Sequence, residues 1–273
     1  MKKYTVCLLR AAVILFTAAS GAPSDGSVAE NLPDSIRESA EVSESNSASK
    51  SKYTMQTAQF EPGDVILADG TVVKVAELEM IDSVDIPVAV IAGFCTDGSA
   101  FGLGVHRSDT PLAWAPESSS GYAMRFADTI CTQNSAFDFS GDLGGGDNWA
   151  AMCAADEAGT ARAQDNYPAF GFVNTYAKTY GLPDACADGW YLPGIAELCE
   201  IYQNRDAVNQ SLKYLHGLEE QAAMDGLETN WYWSSSQAGA ADDYAWFVHY
   251  LNGYAGECPK SFTNVHVIAI RRF

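Results

Sequence analysis

The fold is decided by a short stretch between residues 189 and 202, which reads GWYLPGIAELCEIY. Pro193 is well placed to open a helix, because proline already has the backbone angle that the first helical position requires. The predicted helix runs to Tyr202. Trp190 and Leu192 come immediately before it, so they can fasten its first turn to a hydrophobic core.

Helices are also predicted on both sides of this stretch. Pro168 begins the preceding helix, and Gly181 and Pro183 end it. Its large apolar side chains recur at helical spacing, at Phe172, Val173, Tyr176 and Tyr180. Asp206 is a predicted N-cap for a third, short helix. The middle of the chain is therefore expected to be helical.

Strands are predicted in the last part of the chain, at residues 231–236, 244–250 and 265–273. These segments are rich in β-branched and aromatic residues, which favour strands. Trp233 and Trp246 lie on neighbouring segments, where the alternation of side chains can bury both of them.

The first part of the folded region is predicted to form two β-hairpins. Their turns are Asp69-Gly70 and Asp97-Gly98, between apolar segments. In the strand that follows the second turn, Gly102 and Gly104 share one face, which indicates close approach of another group. Early hairpins, central helices and late strands together predict an α+β fold.

A long segment, residues 108–166, is predicted to be irregular, with Trp114 and Trp149 as anchors into the core. Within it, carboxylate and amide oxygens surround the glycines at 144–146. They are those of Asp138, Asp142, Asp147 and Asn148. Such hard ligands are suited to Ca²⁺, which makes Asp138, Asp142 and Asp147 the candidate metal ligands. Their spacing matches no known calcium cage, and it favours a solvated acidic loop with no cofactor.

The N-terminus has the pattern of an export signal. Residues 1–22 combine a lysine pair, an apolar run and small residues, with cleavage expected after Ala19 or Ala22. The run is too short for a transmembrane span, and Cys7 lies too far forward for a lipid anchor at the cleavage site. Residues 23–57 are rich in Ser and Glu, which predicts a disordered tether. The folded domain is expected at 58–273, with 58–107 as a hairpin extension. The final location is the periplasm, the cell surface or the medium.

Charge and cysteine content restrict the function further. The net charge of −19 excludes a general nucleic-acid binder and argues against sulfated glycans, because few cations oppose the acidic residues. Six cysteines follow the signal, an even number that permits disulfides in an exported chain. Cys199 is the exception, since its helical spacing with Ile195, Leu198 and Tyr202 predicts a buried free thiol.

Catalytic motifs are absent from the sequence. It has no nucleophile elbow, no zinc-protease motif, no phosphate-binding loop and no dinucleotide fingerprint. Ser235, His249 and Asp243 could be combined into a triad, but any chain rich in Ser and Asp permits that choice. We therefore expect a protein that is not an enzyme.

A series of short motifs resembles a known family. In chain order they are Gly189-Trp190-Tyr191-Leu192-Pro193, Glu197-Leu198, Tyr232-Trp233-Ser234-Ser235-Ser236, Ala245-Trp246 and Ile270-Arg271-Arg272-Phe273. From about residue 144 to residue 273, the chain resembles the bacterial C-type-lectin-like domain family of unknown function. This domain is shared with the C-terminal domain of the Legionella collagen-like adhesin and the major paralogous domain of Fibrobacter.

The resemblance implies a C-type-lectin-like fold with N-terminal β-hairpins, two to three short helices and a late antiparallel sheet. It gives a structural role to Trp190, Leu192, Pro193, Trp233, Ser234, Trp246 and Arg271. The calcium-binding elements of sugar-binding animal C-type lectins are absent, which argues against calcium-mediated sugar binding.

The function expected from this resemblance is an exported, non-catalytic module that binds an extracellular glycan or protein, as an adhesin does. The alternative is a structural or assembly component of the cell envelope without a small ligand. Candidate contact residues lie in loops. They are Asp142, Asp147, Asn148, Trp149, Asn252 and Tyr254. Asn252-Gly253-Tyr254 joins an amide to an aromatic ring, a combination that suits sugars, but the pattern favours an ordinary turn.

Overall fold

Two β-sheets and a group of helices form the part of the chain that the structure, a computed structural model, describes. This part comprises residues 53–54, 60–141, 144–218, 223–227 and 229–273. The predicted signal peptide and most of the predicted tether lie outside the described residues.

The strands of the described residues are, in chain order, β1 (Tyr53–Thr54), β2 (Val65–Leu67), β3 (Thr71–Val73), β4 (Pro87–Phe94), β5 (Ala100–Arg107), β6 (Ile130–Ser135), β7 (Asp138–Ser140), β8 (Trp190–Tyr191), β9 (Trp231–Ala238), β10 (Tyr244–His249), β11 (Tyr254–Pro259) and β12 (Ile268–Arg272). The α-helices are α1 (Gly145–Ala155), α2 (Glu157–Thr160), α3 (Ala163–Asn166), α4 (Pro168–Asn174), α5 (Tyr176–Thr179), α6 (Ile195–Gln203) and α7 (Arg205–Leu218). Short 3-10 helices occupy Val75–Met80, Ala127–Thr129 and Asp184–Cys186.

The larger sheet contains strands from both ends of the described chain. Its strand order is β1-β3-β2-β4-β5-β12-β8, and all its pairings are antiparallel. The late strand β12 therefore lies between β5 and β8, with Ile270 opposite Tyr191 and Arg271 opposite Trp190. The stretch that decides the fold supplies both the edge strand β8 and the helix α6.

The smaller sheet has the order β11-β10-β9-β6-β7. Its pairings are antiparallel except that of β6 with β9, which is parallel. Trp233 and Trp246 are both buried, as predicted, but they lie on opposite faces because Trp233 is opposite Phe247. The ring nitrogen of Trp233 donates to the Leu112 carbonyl, and that of Trp246 donates to the Cys131 carbonyl.

Both predicted hairpins are present, as β2–β3 and β4–β5. Gly70 and Gly98 have φ angles of 82° and 83° at their turns, a backbone conformation that glycine adopts without strain. On β5, a β-carbon at Gly104 would collide with the Tyr176 ring, and one at Gly102 would press on Phe273. These are the close approaches that the glycine pattern predicted.

Several predicted boundaries were wrong. Residues 108–166 are not irregular throughout, since they contain β6, β7 and the helices α1 to α3. Glycines at the start of α1 and the short length of the other elements conceal them in the sequence. The predicted helix after Pro168 breaks at Thr175, and the last strand begins at Ile268. Within the expected tether, Tyr53–Thr54 pairs with β3.

Polar groups inside the core meet at the first turn of α6. One carboxylate oxygen of Glu197 accepts hydrogen bonds from the backbone N–H groups of Gly145 (2.9 Å) and Gly194 (2.7 Å). The other oxygen accepts one from the Tyr191 hydroxyl at 3.0 Å. The carboxylate thus pairs N–H groups at the starts of both α1 and α6, which have no partner within a helix.

The serines of β9 complete this junction. The Ser236 hydroxyl accepts the Ile195 N–H at 3.0 Å, and the Ser235 N–H donates to the Pro193 carbonyl at 2.8 Å. The Asn148 side-chain amide donates to the Ser235 hydroxyl at 2.9 Å. We call Asn148, Glu197, Ser235 and Ser236 the polar junction. All four side chains are buried, so they join α1, α6 and β9 inside the protein.

The long loop of residues 112–126 packs on the smaller sheet through a buried lysine. Lys260 is 0% exposed, and its ammonium donates to the carbonyls of Gly121, Tyr122 and Met124. Burial lowers the pKa of Lys260 to about 7, while Asp242 and Asp243 act in the opposite direction.

The cysteines that follow the predicted signal are free thiols in the structure, and Cys199 is buried as its spacing predicted. Among the described residues, no helix combines the length and the apolar character needed to cross a membrane.

The polar junction can be tested with Glu197→Ala, which leaves the Gly145 and Gly194 N–H groups without their acceptor. We expect the free energy of unfolding to fall by at least about 2 kcal/mol, because buried unpaired N–H groups are costly. Urea titration measures the change. Glu157→Ala, at an exposed first-turn position of α2, is the control and should change little. Equal effects of the two substitutions would contradict the role of Glu197.

Lys260 makes stability depend on pH. Because its pKa in the folded protein lies below that of an exposed lysine, the unfolded chain binds more protons between these two values. Burial of the charged ammonium therefore lowers the free energy of unfolding. This loss is complete below pH 7, and it disappears as the pH rises, by up to about 1.4 kcal/mol per pH unit. The free energy of unfolding of the wild type, relative to that of Lys260→Met, should therefore increase from pH 6 to pH 9. Parallel pH profiles in urea titrations would show this expectation to be wrong.

Candidate binding surface at the β10–β11 turn

The turn between β10 and β11 is exposed and is held by its own hydrogen bonds. The Asn252 side-chain oxygen accepts the Tyr254 N–H at 3.1 Å, and the Gly253 N–H donates to the His249 carbonyl at 2.9 Å. Leu251 is 66% exposed and Tyr254 is 60% exposed. Large apolar side chains at a well-formed turn are a usual feature of recognition surfaces.

A cleft of about 390 Å³ lies on one side of this turn, between the β6–β7 turn and the start of β11. Its lining residues are Gln133, Asn134, Ser135, Ala136, Phe137, Gly253, Tyr254 and Ala255. The cleft therefore offers side-chain amides and aromatic residues with no charged group in its lining.

A second cleft of about 290 Å³ lies on the other side of the turn, next to the start of α7. Its lining residues are Arg205, Asp206, Asn209, Thr229, Tyr250 and Leu251. The Arg205 and Asp206 side chains are 3.9 Å apart and Asp206 is largely exposed, so their attraction contributes little. Of the two clefts, only the second is thus lined by charged residues.

Both clefts contain a residue with a strained backbone. Phe137 has φ of 63° and Thr229 has φ of 76°, and they are the non-glycine residues with positive φ in the described chain. This conformation is costly, most of all for a β-branched residue such as Thr229. Such residues cluster at functional sites, so their positions indicate a role for the two clefts.

Tyr202 joins the two clefts. Its ring stacks on Phe137 with centroids 5.6 Å apart, and the Arg205 guanidinium lies 4.2 Å from its centroid. It also meets Tyr250 edge to face at 5.5 Å. Gly253, with φ of 71°, lies against this ring so closely that a β-carbon would collide with it. We call Phe137, Tyr202, Arg205, Leu251, Asn252, Gly253 and Tyr254 the turn surface.

An aromatic row adjoins the turn surface. Trp231, His249 and Tyr254 lie opposite one another on β9, β10 and β11, and all three are at least partly exposed. Trp231 stacks on Phe247 with centroids 4.8 Å apart and lies 5.3 Å from His249. The row places three partly exposed aromatic rings side by side at the end of the sheet, where another ring could pack against them.

The predicted contact residues separate into two groups. Asn252 and Tyr254 lie together on the turn surface. Asn148 is fully buried in the polar junction, so its side chain does not reach the surface. Trp149 is partly exposed and stacks on Phe170 with ring centroids 4.9 Å apart, and both residues belong to helix α1 rather than to the predicted loop. Asp142 lies outside the described residues.

Of the three predicted calcium ligands, Asp138 and Asp147 belong to the part of the chain that the structure describes, and Asp142 does not. Asp138 is exposed on β7 and Asp147 is exposed in the first turn of α1. No group of three His, Cys, Asp or Glu side chains among the described residues is arranged to hold a metal ion.

The predicted structural motif lies at packed positions. Leu192, Trp233, Ser234 and Trp246 are buried, and the Trp190 ring nitrogen donates to the Cys186 carbonyl at 2.8 Å. The Pro193 carbonyl accepts from Ser235. On β12, Arg271 donates to the Ala185 carbonyl at 3.0 Å.

The three residues of the triad considered from the sequence have different surroundings. The Ser235 hydroxyl is buried and accepts from Asn148, while His249 packs against Trp231 in the aromatic row. The Asp243 carboxylate accepts the Tyr122 hydroxyl at 3.3 Å.

Sequence reasoning missed Phe137, Tyr202, Arg205, Leu251 and Thr229. Phe137 lies in a hairpin that was taken for an irregular loop, and Tyr202 was taken for an ordinary core position on its helix. The sequence holds no local signal for the contact between Phe137 and Tyr202, because the two residues are distant in the chain and meet only after folding.

The close approach at Gly253 gives a stability prediction. Gly253→Ala should lower the free energy of unfolding more than Gly70→Ala does. Both glycines have positive φ, which costs alanine about 1–2 kcal/mol, but no atom lies within 4 Å of a β-carbon at Gly70. Urea titration of the two variants separates backbone strain from the collision with Tyr202. Equal losses would contradict the tight contact.

Comparison with known proteins identifies a shared fold. No protein-family model matches the chain, and no curated protein matches it. Among solved structures, the chain is similar to a fimbrial protein from Bacteroides ovatus ATCC 8483, with 13% sequence identity and a TM-score of 0.51. The similarity covers 77% of this chain and 48% of that chain. This chain thus matches about half the length of the fimbrial protein, with which it shares an α+β fold.

Proposed function

We propose that this chain is an exported, non-catalytic binding module that recognises an extracellular glycan or protein through the turn surface. The observation that carries the proposal is the convergence at one turn. Two clefts, two strained residues and the exposed Leu251 and Tyr254 all meet there. Residues with positive φ are enriched at functional sites, and they also occur in tight hairpin turns such as the one that contains Phe137.

The chemistry of the turn surface suits a glycan. Sugar rings have apolar faces that stack on aromatic side chains, and their hydroxyl groups pair with amides. Tyr254 and Phe137 supply the rings, while Gln133, Asn134 and Asn252 supply the amides. The uncharged lining of the first cleft and the acidic chain favour a neutral ligand over a sulfated one.

A C-type-lectin-like fold is part of this proposal. It is supported by β12, which pairs with the early strand β5 and with β8, and by the helix that starts directly after β8. These are the features that the family resemblance implied. Recognition at the turn surface does not require calcium, because its lining offers amides and aromatic rings.

The alternative is a structural or assembly component of the envelope. The fold shared with a fimbrial protein favours a place at the cell surface, and it supports this alternative as well as an adhesin. Export by the N-terminal signal and display on a Ser-rich tether are compatible with both the binding module and the assembly component.

The proposal is tested by glycan-array binding of the full chain, with calcium and with EDTA, followed by a screen of extracellular proteins. Tyr254→Ala and Phe137→Ser should each weaken binding by about tenfold, because each removes an aromatic contact, and a loss of about 1.4 kcal/mol corresponds to tenfold in affinity. Phe94→Ser, a similarly exposed position on β4, is the control and should bind as wild type does.

Each other result decides against part of the proposal. Binding that survives both substitutions would place recognition elsewhere on the chain. Binding that is lost in EDTA would show a metal-assisted lectin. No binding in either screen, together with self-association in sedimentation, would favour the assembly component.

A further inference from the structure

We propose that the carbonyl groups of Gly121, Tyr122 and Met124 form a cation site that the chain fills with its own Lys260 ammonium. This internal cation, rather than a bound metal ion, fixes the loop of residues 112–126 on the smaller sheet. The inference is independent of the turn surface, since these residues lie outside it.

The geometry matches the donors of an ammonium group. The Lys260 nitrogen lies 3.0 Å from the Gly121 carbonyl oxygen, 3.2 Å from that of Tyr122 and 2.9 Å from that of Met124. A protonated lysine has three N–H donors and no acceptor, so each donor has one carbonyl. All three acceptors belong to one short segment of the loop, which must curve around the nitrogen to present them.

Aromatic rings form the walls of the site. The Lys260 nitrogen is 4.8 Å from the centroid of Trp114 and 5.6 Å from that of Phe126. The faces of aromatic rings attract a cation, most strongly where water is excluded. Lys260 is 0% exposed, and Trp114 is fixed by the hydrogen bond of its ring nitrogen to the Ser234 carbonyl at 3.0 Å.

Charged groups near the site are occupied by other partners. Asp242 forms an ion pair of 2.8 Å with Arg125, and Asp243 accepts the Tyr122 hydroxyl. Both carboxylates still act on Lys260 through space. The neighbouring Cys258 has a pKa raised to about 12 by burial, so it is a neutral thiol. Carbonyl dipoles and aromatic rings therefore provide the direct contacts of the buried charge.

The backbone of Lys260 also helps to attach the loop to the smaller sheet. Its N–H donates to the Asp243 carbonyl at 2.8 Å, and its carbonyl accepts the Ala115 N–H at 3.1 Å. Main chain and side chain thus attach the loop to β10 and β11. Backbone carbonyls that converge on one point are ligands that hard metal ions also use, and here the ammonium occupies that point.

The test measures hydrogen exchange of the loop amides in the full chain at pH 6, where the ammonium keeps its proton. In Lys260→Ala, exchange at residues 112–126 should accelerate by at least about tenfold, because the carbonyls lose their donors. Adding n-propylammonium, which replaces the atoms removed beyond Cβ, should restore part of the protection. Lys178→Ala, at an exposed position on α5, is the control and should exchange as wild type does.

Other additives separate charge from packing. Tetramethylammonium has no N–H donor and n-propanol has no charge, so neither should restore protection to Lys260→Ala. If n-propanol restored as much protection as n-propylammonium, the side chain would act by filling volume, and the cation role would be overturned. The cation role would also be overturned if n-propylammonium restored no protection. Unchanged exchange in the variant would overturn the whole inference.

Two further measurements cover the remaining outcomes. If Lys260→Ala does not fold, Lys260→Met keeps most of the volume without the charge, and it should still lose loop protection. Protection equal to wild type in Lys260→Met would overturn the inference. In the wild type, EDTA and added calcium should leave exchange of the loop unchanged, and a calcium-dependent loop would show that a metal ion fixes it.

Discussion

The hydrogen bonds of the polar junction are the constraint on which the rest of the structure depends. The first residues of α1 and α6, Gly145 and Ile195, are buried, where a backbone N–H group has no water to pair with. Glu197 satisfies one such group from each helix, and Ser236 satisfies another on α6. Because β8 leads into α6 and β9 carries the serines, this one requirement for hydrogen bonding fixes the larger sheet, the smaller sheet and two helices relative to one another.

The junction also determines where the candidate site lies. Helix α6 is fixed at its start by Glu197 and in its middle by the Tyr250 hydroxyl, which donates to the Leu198 carbonyl at 2.8 Å. Its last turn therefore presents Tyr202 at a set position beneath Gly253. A turn that rests on such a support keeps its exposed side chains in one arrangement, which lowers the entropy lost when a ligand binds.

Most elements with a strong periodic pattern could be predicted from the sequence. Elements that depend on contacts between distant residues could not. The hairpins at Gly70 and Gly98 and the helix α6 follow from local signals, and all three are present. Helix α1 was missed because its glycines are poor helix formers, and its stability comes from Glu197 in a distant part of the chain. For the site, Asn252 and Tyr254 were found because turn residues are visible locally. Phe137 and Tyr202 meet only after folding, and no local pattern shows that contact.

The position of β12 has a consequence for how the chain reaches its native state. This strand is made after all the other described strands, yet it forms an inner position of the larger sheet, between β5 and β8. Until it arrives, β5 keeps an unpaired edge and β8 has no described strand beside it, and open edges invite pairing with other chains. Pairings between segments so distant in sequence also form slowly. A chain of this design benefits from remaining unfolded or protected until the synthesis of β12 is complete.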